Sequence, residues 1–483
     1  MSLKSKAAKG VFWSVVESWG RQLFSSATFF ILARLLGPES FGLIALAGVY
    51  IAFLTIFTGG SLSAAVVQRK DIDPEHLDTA FWIGLGIGCV LTLISFVAAP
   101  FIAKSFDEPA LSLVIRVLSL NFLIGPFSSV QMAIFKRKLD FRMISIRTLV
   151  ATFASGLVGV GMALSGFGIW SLVGQQLTNS VCQFAVLWWV SDWRPGLRVS
   201  KRHFDELFAF SIHITGFSFV NFFSRRSDDL LIGYFLGPVA LGYYNVAYKL
   251  LLTVIDLLSR VIEKVAMPTF SRLQREPERM RAAFYQVTQL TSLVSFPVFA
   301  AMGILSPELI RVIFGEQWES SIPVMQILVF IGILQSSSIF NSTILLSLGK
   351  SNLRLKLGIL NSISSVLCFL AAVRFGIVAV AAAYVVRGYL LAPIPVFVIR
   401  RAIKLKILNY LAQFLPALLG SLLMALIMIT AKNLVSYSLN ETLLLLLISL
   451  LGGGVYILFL TLIFPARLME VKSLLKLATS KTK

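Results

Sequence analysis

Arg225, Arg226, Asp228 and Asp229 fall within Phe210–Tyr244, FSIHITGFSFVNFFSRRSDDLLIGYFLGPVALGYY, a stretch otherwise apolar enough for the interior of a bilayer. Charges at membrane depth are costly, so they are kept where they pair with one another or face a watery interior. Arg225 and Asp229 stand four residues apart, the spacing of a helical ion pair. One of the two adjacent arginines is then left to meet a ligand; the alternative is that they snorkel to the nearer interface. The same spacing joins Glu17 and Arg21 in the first apolar run. There Arg21 either fixes packing or offers a planar guanidinium suited to phosphate. Lys249, Asp256, Arg260, Glu263 and Lys264 recur along one helical face, the last two reading as a solvated helix end. Arg387 lies inside an apolar run with no acidic neighbour in sequence. His213 reads as a structural histidine ahead of a proton carrier, and Arg116 and Arg147, near run ends, read as snorkelling residues. Arg21, Arg225, Arg226, Lys249, Arg260 and Arg387 outnumber their charge partners Glu17, Asp228, Asp229 and Asp256. That balance points to an anionic, phosphorylated substrate, with the acids as sites for any coupled ion.

The elements that must position these charges are membrane helices. The chain of 483 residues is 57% hydrophobic and only 14% charged, with a mean hydropathy of +0.84. Soluble domains are about a quarter charged, so an all-α integral membrane protein is expected. The net charge of +20 does not indicate nucleic acid, because the basic residues sit in short loops between apolar runs. Runs long enough to cross a bilayer are expected near 10–33, 42–67, 80–103, 113–135, 143–164 and 168–190. They continue near 206–232, 241–264, 284–305, 321–348, 354–373, 376–399, 409–431 and 441–463, about fourteen in all. Lysines and arginines gather in alternate loops. Only Arg34, Lys104, Arg311, Arg374 and Lys432 occupy the other set, which places both termini in the cytoplasm.

Leu36-Gly37-Pro38 with Gly42 recurs as Leu236-Gly237-Pro238 with Gly242. Each copy follows a charged apolar run leading outward, so the halves read as parallel repeats. The expected plan is a lobe over 1–200, a second over 201–405, two added helices over 406–465 and a basic cytoplasmic tail over 466–483. The polar stretch 191–206 joins the six-helix lobes. The two added helices serve either as packing or as a groove for a lipid tail.

Enzyme motifs are missing. Gly349-Lys350-Ser351 lacks the earlier glycine of a phosphate-binding loop, with Ile344 in its place. No outside loop is long enough for a catalytic domain, and Cys89, Cys182 and Cys368 read as small buried hydrophobes. No metal spacing and no cofactor is indicated. Energy is expected from an ion gradient (Na+ or H+), the membrane potential or the substrate gradient.

RLLGPESFGL (34–43), GGSLSAAVVQRKD (59–71), MPTFSRLQ (267–274), LSPELIRVIFGEQW (305–318) and LSLGKSNLRLKLGIL (346–360) resemble the polysaccharide-transporter (Wzx-type) flippases. These belong to the multidrug/oligosaccharidyl-lipid/polysaccharide exporter superfamily, and the likeness is nearest the colanic acid and teichuronic acid exporter branch. The resemblance implies a prokaryotic inner-membrane protein that rocks two lobes to carry undecaprenyl-pyrophosphate-linked oligosaccharide outward. It also implies lipid-linked oligosaccharide and membrane lipids as partners, and polysaccharide polymerase and chain-length machinery beside them. Arg21, Lys249 and Arg260 are nearest to the cavity arginines of the related peptidoglycan-precursor flippases. A multidrug exporter of the same superfamily, with an acidic cavity and twelve helices, and a membrane polymerase or ligase are the rival readings.

Overall fold

The computed structural model describes residues 3–58, 60–69, 71–435 and 440–465. The fold is 89% helical, with no strand among the described residues. Lipid offers the backbone no hydrogen-bond partners, so each crossing must satisfy its own amides and carbonyls within a helix. The chain divides by packing into two compact units, 1–245 and 246–483. This boundary lies inside one helix and not in the polar linker 191–206.

The first unit runs through α1 (Leu3–Leu35), α2 (Pro38–Thr55), α3 (Gly60–Gln68), α4 (Pro74–Ser105), α5 (Pro109–Ser119), α6 (Asn121–Arg137), α7 (Phe141–Leu164), α8 (Ile169–Val190) and the first part of α9 (Lys201–Arg272). Proline opens α2, α4 and α5, where its missing N–H costs nothing. Asp140 caps α7 by accepting from the Met143 amide at 3.3 Å. α7 lies along both α1 and α8, and α4 along α5 and α6. Ala65, Val66, Ala80, Phe81, Val130 and Ala133 form one buried core among α3, α4 and α6.

The second unit contains the rest of α9, then α10 (Pro277–Ile304), α11 (Ser306–Phe314), a 3₁₀ turn Glu316–Ser321, α12 (Ile322–Ser347), α13 (Ser351–Ala372), α14 (Ile377–Leu391), α15 (Pro393–Ile403), α16 (Ile407–Ala412), α17 (Leu415–Val435) and α18 (Glu441–Ile463). The two added helices, α17 and α18, pack on α10 through Leu293, Phe296, Met424, Met428, Ile448 and Tyr456. Tyr456 donates to the Leu293 carbonyl at 2.7 Å. Lys432 meets Glu308 at 2.8 Å, and Arg311 meets Glu441 at 3.0 Å, tying both helices to α11.

Eleven helices among the described residues are long and apolar enough to cross a membrane. The expected spans at 10–33, 168–190 and 206–232 are also helical, in α1, α8 and the first part of α9. The first two fall outside those eleven, and they are polar: α1 carries Glu17, Arg21 and Arg34, and α8 carries Gln175, Gln176, Asn179 and Gln183. The third overlaps one of the eleven, Arg225–Leu258, at its C-terminal end. Leu93, Val97, Phe101, Leu450 and Leu462 are exposed on helix faces, a surface that suits lipid. Cys89 is exposed too, not buried as expected, since an apolar side chain has no need of burial where the solvent is hydrocarbon.

Candidate functional site

The charged stretch of α9 is shaped by the break after it. Gly237 has φ +82 inside α9, a left-handed value that glycine takes at little cost. Tyr244 donates to Asp228 Oδ2 at 3.1 Å although 16 residues separate them. A continuous helix would hold them about 24 Å apart, so the chain folds back on itself at Gly237. The return brings a fully buried tyrosine against a buried carboxylate.

The four charges of this stretch separate by burial. Asp228 and Asp229 are buried, whereas Arg225 and Arg226 are exposed. Arg226 Nη1 donates to Asp229 Oδ2 at 2.9 Å, three residues along. The pairing expected from spacing, Arg225 with Asp229, is not formed. Arg225 is exposed, and no ion pair or hydrogen bond ties it to any described residue.

α1 shows a similar divergence. Glu17 and Arg21 do not form the expected four-residue pair. Glu17 lies close enough to Arg147 in α7 for its charge to act on it, and Arg21 is exposed without an ion-pair or hydrogen-bond partner among the described residues. Arg147 itself is buried and not snorkelling. It hydrogen-bonds the Gln183 side chain of α8 and approaches Met132 Sδ at 3.5 Å. Spacing along one helix carries no signal for this site, because every partner of Arg147 comes from another helix. Arg116 does stay near the surface, donating to the Phe96 carbonyl at 3.3 Å.

In the second unit Arg387 is buried on α14 in a cradle from α13. Its Nη1 donates to the Asn361 carbonyl at 2.8 Å and side-chain oxygen at 3.0 Å, and to Ser365. The guanidinium lies over the Tyr384 ring at 5.3 Å, a cation–π contact. It also borders an apolar groove of about 550 Å³ lined by Cys368, Ala371, Ala382 and Val386. Lys249 is exposed and Asp256 half-buried, and each is engaged in interactions. The side chains of Arg260, Glu263, Lys264 and His213 lie outside the described residues.

Residues 31–323 match the family described as polysaccharide biosynthesis protein. The chain is 27% identical to lipopolysaccharide biosynthesis protein WzxC of Escherichia coli (strain K12), over 70% of this chain and 69% of that one. It is 28% identical to succinoglycan biosynthesis transport protein ExoT of Rhizobium meliloti (strain 1021), over 69% and 67%. The fold is similar to that of lipid II flippase MurJ in its inward closed conformation, with a TM-score of 0.78 over 94% of this chain and 99% of that one, at 13% identity. The resemblance to the Wzx-type polysaccharide transporters is borne out. A helical, lipid-facing bundle with charges held inside it, the family match over more than half its length and the flippase-like fold lead to one assignment: this multi-pass membrane protein belongs to the polysaccharide biosynthesis protein family.

Proposed function

We propose that this protein moves an undecaprenyl-pyrophosphate-linked oligosaccharide from the cytoplasmic to the outer face of the membrane by alternating access, as a transporter and not an enzyme. The observation that carries the reading is the contrast among its arginines. Arg147, Arg226 and Arg387 are held by neighbouring side chains, whereas Arg21 and Arg225 are exposed on membrane helices with no ion-pair or hydrogen-bond partner among the described residues. A guanidinium in lipid is costly, so such positions favour an aqueous path and an anionic cargo. The planar donors of Arg21 and Arg225 suit the pyrophosphate. Arg226, Lys249, Arg260 and Arg387 add positive charge, and Asp228 and Asp229 are the carboxylates that would take up a coupled Na+ or H+. The chain crosses fourteen times with both termini cytoplasmic, as two parallel six-helix lobes followed by α17 and α18.

Binding of the lipid-linked pyrophosphate oligosaccharide to purified protein tests this. Loss of binding in both Arg21→Ala and Arg225→Ala, with melting unchanged, is expected. Wild-type affinity in both variants, or binding of lipophilic cations in place of the anionic lipid, would overturn it.

A further inference from the structure

Two of the chain's three histidines meet at the start of α4 and α9. The rings of His76 and His203 stand 4.0 Å apart, centroid to centroid. His76 is 3% exposed, and a carboxylate oxygen of Asp73 and one ring nitrogen of each histidine lie within 4.8 Å of one another. Glu75 Oε2 adds a further oxygen 3.8 Å from His203 Nδ1. We propose that Asp73, His76 and His203, completed by Glu75, bind a divalent transition-metal ion of the zinc class, fastening the start of α9 to that of α4. The inference is independent of the transport reading.

His76 Nδ1 accepts from the Asp73 amide at 3.3 Å, a long contact within the capping box that starts α4, and a metal on that nitrogen would displace it. Nε2 faces Glu206 Oε2 at 3.4 Å, and Glu206 is itself held by Arg69 at 2.6 Å. A carboxylate behind a histidine is the outer arrangement that orients metal-binding imidazoles and raises their basicity. His203 Nδ1 is buried and lacks a hydrogen-bond partner. An unsatisfied buried nitrogen costs free energy, and a cation between the rings would satisfy it. Tetrahedral zinc ligands at about 2.1 Å from the metal lie about 3.4 Å from one another. A spread of up to 4.8 Å therefore closes by up to about 1.4 Å on binding, and the Asp73 side chain, 74% exposed, is not held in place by burial. Nitrogen and carboxylate donors in this ratio select zinc-like ions over Mg2+ or Ca2+.

The test uses the full chain, purified in detergent without a polyhistidine tag, stripped with chelator and titrated with Zn2+ or Co2+. One Zn2+ retained per chain, and a Co2+ form with the strong visible absorption of four-coordination, are expected. Asp73→Asn should weaken Zn2+ binding about tenfold or more and His203→Gln about a hundredfold, with the stripped variants melting like the stripped wild type. Asp73→Asn serves alone if His203→Gln does not fold. Absence of saturable Zn2+ binding, or binding unchanged in Asp73→Asn, would overturn the proposal.

Discussion

Gly42 and Gly242 each lie against the backbone of the proline in the other Leu-Gly-Pro copy. A Cβ at Gly42 would stand 2.9 Å from Pro238 Cα and one at Gly242 would stand 3.1 Å from Pro38 Cα, and both would overlap the proline carbonyls. The two copies are thus joined by a reciprocal contact, the signature of a local two-fold relation. They are not identical in backbone, since Gly37 has φ −75 and Gly237 has φ +82. Because the obstructing atoms are main chain, Gly42→Ala and Gly242→Ala should each destabilise by about 1–3 kcal/mol. The double variant should cost less than the two singles together, as the first methyl already parts the helices. Unfolding of the three variants in detergent checks this, and strict additivity would mean that the glycines do not share a contact.

Arg225 and Arg226 are neighbours in sequence with opposite expected behaviour. Arg226→Ala leaves the buried Asp229 carboxylate without its 2.9 Å partner. The half-exposed setting of the arginine moderates the loss to about 1–3 kcal/mol. Asp229→Asn in the same chain should recover most of it. Arg225→Ala should change stability by less than about 0.5 kcal/mol yet weaken the anionic lipid. A thermal melt and a binding titration on the same preparations separate the two; equal destabilisation by both arginines would defeat the distinction.

The architecture and the charges could be read from the chain because both are strong one-dimensional signals. Apolar runs mark membrane helices, a charge inside such a run stands out, and the Leu-Gly-Pro repeat is visible in the chain, although the contact between Gly42 and Pro238 is not. Partner choice was not legible. Spacings of three and four are both allowed on a helix, and Asp229 pairs with Arg226 at three and not with Arg225 at four. Tyr244 reaches Asp228 only because Gly237 reverses the chain. The charge of Glu17 acts on Arg147 of another helix, and His76 meets His203 across two distant helix starts. Each of these depends on how helices are set side by side, which periodicity along one helix does not encode.

Glu108, in the short turn between α4 and α5, offers a pH test outside the spans. Burial, and then the nearby carboxylates of Glu39 and Asp107, push its carboxyl above the usual value. An acid raised in the folded state favours folding while protonated. That contribution is whole below the ordinary carboxylate value and is lost as pH rises through the folded one. Wild type should therefore lose stability relative to Glu108→Gln as pH climbs from about 4 to about 7. Melting curves of the two proteins across that range should converge at the acidic end; parallel curves would show that Glu108 is not shifted.

Arg387 tests whether its cradle recognises shape or merely charge. The guanidinium donates to the Asn361 carbonyl and side chain and to Ser365, while its face covers Tyr384. Arg387→Ala opens a cavity and strands those acceptors, at about 2–4 kcal/mol. Lysine carries the same charge on a single ammonium without a planar fork or a stacking face, so Arg387→Lys should recover only part of that loss. Unfolding of the three proteins in detergent decides the matter. A lysine variant as stable as wild type would mean that α13 requires a positive charge here but not its geometry.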